Sequence, residues 1–276
     1  MSEDYFADPA GYLRAFRDEL APKTVDLADP CSLFRSSGMQ PDPAQVEILT
    51  TAAPRVAILW ARQAGKTASV SCRSAHLAQS RREATVVICA GRVDQSKHLL
   101  RACRRFSGRG ATATGTATEL TIRYPATDSR ILVVPASDTA RGLTADLVVV
   151  EEASVVPDEI FHSVLLLMVS VTHGQVIILG TPGSEAGFFF DIWSAAPRWD
   201  PAKPTEHGWL KSLRTWEDCP RIDPWTVDEL RRSQPRAYRR EYCCEWAGAD
   251  DAIFAPEIVR EMVDETVAPL DLLDTL

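Results

Sequence analysis

From residue 55 onward the chain alternates between short, almost unbroken apolar runs and amphipathic stretches. "RVAILWA", "ATVVICA", "DLVVVEE" and "GQVIILGTP" are the apolar runs; each is rich in β-branched residues and too short for a helix. Unbroken rather than alternating apolar character predicts strands buried on both faces. "GKTASVSCRSAHLAQS" and "DQSKHLLRACRRF" between them predict helices, the second with Leu99, Leu100 and Cys103 on one face. "PDEIFHSVLLLMVSV" predicts a further helix, and the aromatic segment "GFFFDIW" follows the last apolar run. "ATATGTATELTIRYPATDSRILVVPAS" is expected to form a loop, "ATATGTAT", and then a hairpin. Strands separated by helices imply a mostly parallel sheet covered on both faces, an α/β fold. Downstream, "WLKSLRTW" is expected as an outer strand, and "TVDELRRS" and "QPRAYRREYCCEW" as helices. Upstream, residues 1–44 are polar and proline-punctuated, with a helix expected around "PAGYLRAFRDEL".

Bulk properties narrow the picture. A chain of 276 residues with 45% apolar residues fits one large domain, or one domain with a small appendage. The longest apolar run, "VLLLMV" at 164–169, is too short to span a bilayer, so no membrane partner is expected. The N-terminus has no basic-then-apolar signal region. Seven cysteines at scattered spacings form neither a disulfide framework nor a zinc pattern, which suits a reducing cytoplasmic setting. The net charge of −8 argues against a wholly basic nucleic-acid binder. Residues 62–109, however, hold eleven Lys or Arg and two acids, a local +9 that leaves −17 for the remainder. Such a segment either attracts phosphates or forms a solvated helix face.

The first chemical candidate is "WARQAGKTAS" at residues 60–69. Gly65, Lys66 and Thr67 match the end of the phosphate-loop pattern G-x-x-x-x-G-K-[ST], but its opening glycine is replaced by Trp60. An apolar strand before the loop and a helix after it give the required context, because backbone N–H groups and the helix dipole then face the phosphates. Lys66 would reach the β- and γ-phosphates of ATP, and the Thr67 hydroxyl would ligate Mg²⁺. "LVVVEEA" supplies the acidic strand end: Glu151 would hold Mg²⁺ through its water shell, and Glu152 would orient and deprotonate the attacking water. A third strand ends in Gly180-Thr181-Pro182-Gly183, where Thr181 is placed to sense the γ-phosphate; on its own the sequence equally describes a Pro-Gly turn.

These motifs, in this order, resemble the ATPase domain of the large terminase subunit of tailed bacteriophages, the motor that packages DNA into a procapsid. The phosphate loop of that family typically lacks the first glycine and reads like "RQAGKT", so Arg62, Gln63, Ala64, Gly65, Lys66 and Thr67 all fall in the nucleotide-binding loop. "ARGLTADLVVVEEAS" carries the "RG" that typically precedes the acidic strand, and "LGTPGSEAGFFFDIW" the coupling motif with Thr181. "PDPAQVEIL" looks like the adenine-recognition segment, with Gln45 in the glutamine place, and "AYRREYCCEWAGADDAIF" looks like the end of the ATPase domain.

The resemblance spans about residues 41–254 and implies a P-loop NTPase of the ASCE type, with a mostly parallel central sheet flanked by helices. It divides the chain into an N-terminal helical or extended segment (1–40), the ATPase domain (41–250) and a tail or linker (251–276). It implies double-stranded DNA, a portal or procapsid and a small terminase subunit as partners, a ring homo-oligomer when docked, and the host bacterial cytoplasm as location. Arg141 takes the place of an arginine proposed to reach the neighbouring subunit's nucleotide, while Arg62 could serve within its own chain or only brace the loop. Glu151 departs from the usual Asp. The full-length family continues into a metal nuclease, for which the 26-residue tail has no room, so no DNA cutting is expected from this chain: either it is a split product or fragment, or a separate nuclease chain makes the cut. A helicase-like, nucleic-acid-stimulated ATPase and a non-hydrolysing ATP-binding structural subunit are the alternatives; the intact Lys66, Thr67, Glu151 and Glu152 speak against the latter.

Overall fold

The computed structural model describes residues 25–90, 93–115, 120–204 and 206–247. The helix expected around "PAGYLRAFRDEL" and the tail after Asp250 lie outside them. A sheet of eight strands forms the centre: β1 (Arg55–Trp60), β2 (Thr85–Ala90), β3 (Thr112–Gly115), β4 (Leu120–Tyr124), β5 (Ser129–Pro135), β6 (Leu147–Glu151), β7 (Gln175–Gly180) and β8 (Leu210–Arg214). Their order across the sheet is β3-β4-β5-β2-β6-β7-β1-β8. β5, β2, β6, β7, β1 and β8 pair in parallel, and β3 and β4 add an antiparallel margin. The four apolar runs of the sequence become β1, β2, β6 and β7, and their side chains are almost wholly buried, as unbroken apolar character requires.

The helices are α1 (Ser32–Ser36), α2 (Pro43–Thr50), α3 (Lys66–Ser80), α4 (Val93–Phe106), α5 (Phe188–Ser194), α6 (Pro224–Ser233) and α7 (Pro235–Glu241). α3 and α4 pack on β2 and β5. The crossover from β1 to β2 runs one way across the sheet and that from β6 to β7 the other, so right-handed connections cover opposite faces. Cys31, Leu33 and Phe34, which precede residue 41, sit in the same core, with Phe34 5.5 Å from the ring of Phe106 on α4.

The structure corrects two local expectations. Part of "ATATGTAT" is a strand, β3, not a loop; as an edge strand it needs only backbone pairing with β4, and its exposed side chains leave no apolar signature. The helix over "PDEIFHSVLLLMVSV" is irregular, with an α-helical start at Asp158–Ile160, a wide turn at Phe161–Leu165 and a tight one at Leu166–Val169. Residues 161, 164, 165, 168 and 169 still point inward, so apolar periodicity survives the change in winding, and Phe161 stacks on Phe188 of α5 at 3.9 Å. Arg141 occupies an exposed turn beside Gly142 (φ +83°) that joins β5 to β6, two interior strands flanking β2.

Candidate active site

The carboxyl ends of parallel strands β1, β7 and β6 meet in a cleft of about 590 Å³ lined by residues of all three strand ends, including Arg62, Lys66, Thr67, Glu151, Glu152 and Thr181. Ligands of open α/β sheets bind at such ends. β7 stands between the loop strand β1 and the acidic strand β6, so the two motifs face each other across one intervening strand.

Trp60 explains the unusual loop. It is the last residue of β1 and fully buried, and its Nε1 donates to Ser212 Oγ on β8 at 3.1 Å. Ser212 in turn donates to Glu47 Oε2 on α2 at 3.1 Å, and the Arg214 guanidinium lies over the indole, 5.6 Å from its centroid. The side chain locks β1 to β8 and α2, a task no glycine performs. The turn itself begins at Ala61, with Gln63 (φ 63°) and Gly65 (φ 95°) in the left-handed region. Gly65 suits its position because its φ is unfavourable for residues with a side chain, and a Cβ there would lie 2.5 Å from Gln45 Nε2 and displace that amide.

Lys66 opens α3 and bends back over the loop, its Nζ donating to the carbonyls of Trp60 (2.7 Å) and Ala61 (3.0 Å). Burial pulls its pKa below the ordinary lysine range, against the attraction of Glu151. Thr67 Oγ1 donates to Glu151 Oε1 at 2.7 Å, joining residues 84 positions apart. Glu151 is 6% exposed, and burial pushes its pKa from 4.5 up to about 7, with the Thr67 hydroxyl and Lys66 pulling the other way. In a regular strand the next side chain would point to the opposite face. Glu152 instead adopts φ 54°, ψ 47°, and this left-handed step brings both carboxylates to the same cleft. A non-glycine residue held in that region costs about 1–3 kcal/mol, a strain characteristic of functional sites.

The remaining expected residues divide. Arg62 and Gln63 line the cleft and are exposed, and Ala64 is buried beneath them. Thr181 lines the cleft from the end of β7. Gln45 lies behind the loop rather than in the cleft wall: its Oε1 accepts from Asp42 N at 3.1 Å in a reciprocal cap of α2. Arg141 is outside the cleft, exposed and paired with Asp138 at 2.7 Å.

Sequence reasoning missed a set of supports from the 200–250 region. Asp42 takes Arg214 (2.7 Å) and Arg221 (3.2 Å), and Arg221 also donates to Ala64 O at 3.3 Å. Arg62 N donates to Glu241 O at 2.7 Å, and Glu241 lines the cleft. Only "DP", a cap signal before Gln45, hinted that Asp42 had a role. All seven cysteines are free, as their spacing predicted, and no described helix is long and apolar enough to cross a membrane.

Solved structures share the fold. The large terminase ATPase domain of Thermus phage P74-26 superposes with a TM-score of 0.66 at 20% identity, covering 78% of this chain and 97% of that one. The large terminase of a thermophilic bacteriophage in complex with ADP gives 0.60 at 16% identity, covering 75% and 54%. The large terminase of bacteriophage HK97 gives 0.52 at 17% identity, covering 71% and 43%. The chain thus spans about half the length of the last two proteins. These likenesses establish the fold: an α/β P-loop NTPase with a mostly parallel sheet flanked by helices. No curated protein matches significantly. The family model described as "Terminase large subunit, T4likevirus-type, N-terminal" matches residues 57–260. That match covers well over half of the chain, and the chain belongs to the terminase large subunits.

Proposed function

We propose that this chain hydrolyses ATP and uses the energy to move double-stranded DNA into a phage procapsid in the host cytoplasm. The observation that carries the reading is the Thr67–Glu151 contact of 2.7 Å with Glu152 on the same cleft. Thr67 and Glu151 present only hard oxygen donors, a set that suits Mg²⁺, which keeps several waters and takes one or two protein ligands. Held by Thr67 and Glu151, such an ion would supply positive charge to offset that of the phosphates. Lys66, released from the Trp60 and Ala61 carbonyls, would neutralise the transferring phosphoryl group. Glu152 would accept a proton from the attacking water. Arg62 reaches the same cleft and would act within the chain, Thr181 would sense hydrolysis, and Gln45 would flank the base from behind Gly65. Arg141 would act across a ring of subunits docked on the portal, in concert with a small terminase subunit.

Phosphate release, measured with and without duplex DNA, tests the proposal. DNA-stimulated turnover is expected from the wild type; Glu152→Gln should retain ATP binding and lose about 2–4 orders of magnitude in rate, the usual contribution of a general base. Turnover indifferent to DNA, or a fully active Glu152→Gln protein, would overturn it. Binding without hydrolysis in the wild type would favour a structural ATP-binding subunit.

A further inference from the structure

The basic segment seen in the sequence resolves into distinct parts. Lys66 belongs to the cleft. Arg73 is internal: its guanidinium donates to Leu49 O and Thr51 O, both at 2.7 Å, and to Gln175 Oε1. Arg81 pairs with Asp146 at 3.1 Å. What remains is concentrated on α4, where Lys97, Arg101, Arg104 and Arg105 are exposed. At the helical pitch these four share one face, opposite buried Leu99, Cys103 and Phe106, and span about 12 Å along the axis. None of the four forms an ion pair among the described residues. Four cations with no ion-pair partner among the described residues, on one helix face of a protein with net charge −8, form a concentrated anion-attracting stripe.

The first turns of the same helix reach the hydrolytic residues. His98 and Leu99 wall a small cavity of about 120 Å³ whose other walls are Thr67, Glu151 and Glu152. One rigid helix therefore carries cations on its outer face and abuts the catalytic pair within about two turns. Glu152, which turns out of β6 in a left-handed conformation (φ 54°, ψ 47°), presents its side chain to this cavity.

We infer that the outer face of α4 seats the phosphate backbone of duplex DNA and that His98 transmits that contact to Glu152 as a positioning residue. The inference rests on the proposed DNA-dependent ATPase, and deepens it by assigning the surface and its link to the site. Phosphate contacts by Lys and Arg release counterions, so each contributes about 0.9 to the slope of log K against log salt. Arg101→Gln/Arg104→Gln should therefore bind a fluorescent duplex more weakly and lower the slope by about 1.8 between roughly 50 and 200 mM salt. Arg231→Gln/Arg232→Gln, which removes the same charge from exposed positions of α6, should leave the slope unchanged. All four positions are exposed, and unchanged melting temperatures check folding. His98→Ala should keep duplex affinity and slope but lose DNA stimulation several-fold, within the about 5–150-fold range typical of coupling between sites. A wild-type slope in the α4 double variant, or an equal loss in the α6 control, overturns the surface. Normal duplex binding with failed subunit assembly in the α4 variant also overturns it, by assigning the face to a protein partner. Full stimulation in His98→Ala overturns the relay. If the wild type bound duplex but never hydrolysed ATP, the ATPase reading would fail while the binding titrations would still decide the surface.

Discussion

Replacing Glu151 with glutamine is expected to stabilise the metal-free protein, by an amount that grows with pH. Burial raises the Glu151 pKa from 4.5 to about 7, so the folded protein retains a proton that the unfolded chain releases. Between those values the folded state binds more protons, and stability falls as pH rises. Below the unfolded value the penalty is absent; above about 7 it is complete. Each pKa unit corresponds to about 1.4 kcal/mol, so the full penalty is on the order of 3 kcal/mol, or about 10 °C in melting temperature for a domain of this size. Glutamine keeps the shape and still accepts the Thr67 hydroxyl bond of 2.7 Å, but it never carries the charge. Thermal melts in chelator should show the two proteins alike near pH 4.5 and the variant the more stable at about pH 8. The same substitution should abolish tight Mg²⁺·nucleotide binding, since the buried carboxylate is kept for a cation. A pH-independent difference, or a wild type that is the more stable at high pH, would refute the argument that Glu151 is a desolvated, cation-seeking carboxylate.

Restoring the usual glycine at position 60 should harm the protein: Trp60→Gly empties a fully buried site, costs at least about 3–5 kcal/mol in denaturant titrations and leaves Ser212 without its indole donor. Thr181→Ala should bind nucleotide normally, by fluorescent-analogue titration, yet lose packaging in a procapsid assay; unaltered packaging would remove Thr181 from the coupling role. Arg141→Ala and Lys66→Ala should each be inactive alone, and mixing them in an oligomer should restore part of the phosphate release. Arg141 is exposed and outside its own chain's cleft, as a residue acting in trans must be, and full activity of Arg141→Ala alone would exclude that role.

Much of the fold was legible because it rests on local signals. Unbroken apolar runs fixed β1, β2, β6 and β7, and the spacing of Leu99, Leu100 and Cys103 marked the apolar face of α4, of which Leu99 and Cys103 are buried and Leu100 half-buried, with Phe106 completing the inner face. β3 was not legible, since an edge strand paired only through its backbone leaves no side-chain pattern. The motifs likewise named Lys66, Thr67, Glu151, Glu152 and Thr181, because a phosphate loop and an acidic strand end are contiguous stretches whose chemistry depends on neighbours in the chain. Tertiary structure alone decided how they meet. Inserting β7 between β1 and β6 brings Thr67 within 2.7 Å of Glu151, and burial at that junction, not residue identity, raises the carboxylate's pKa. The left-handed turn at Glu152 lies in a backbone angle that no sequence pattern announced. The role of Trp60 depends on Ser212 and Glu47, 152 positions later and 13 earlier, and the brace of Asp42 on Arg214 and Arg221 on the return of β8 beside β1. Such contacts arise from long-range strand pairing, in which the identity of a residue says little about which distant group the sheet will set beside it.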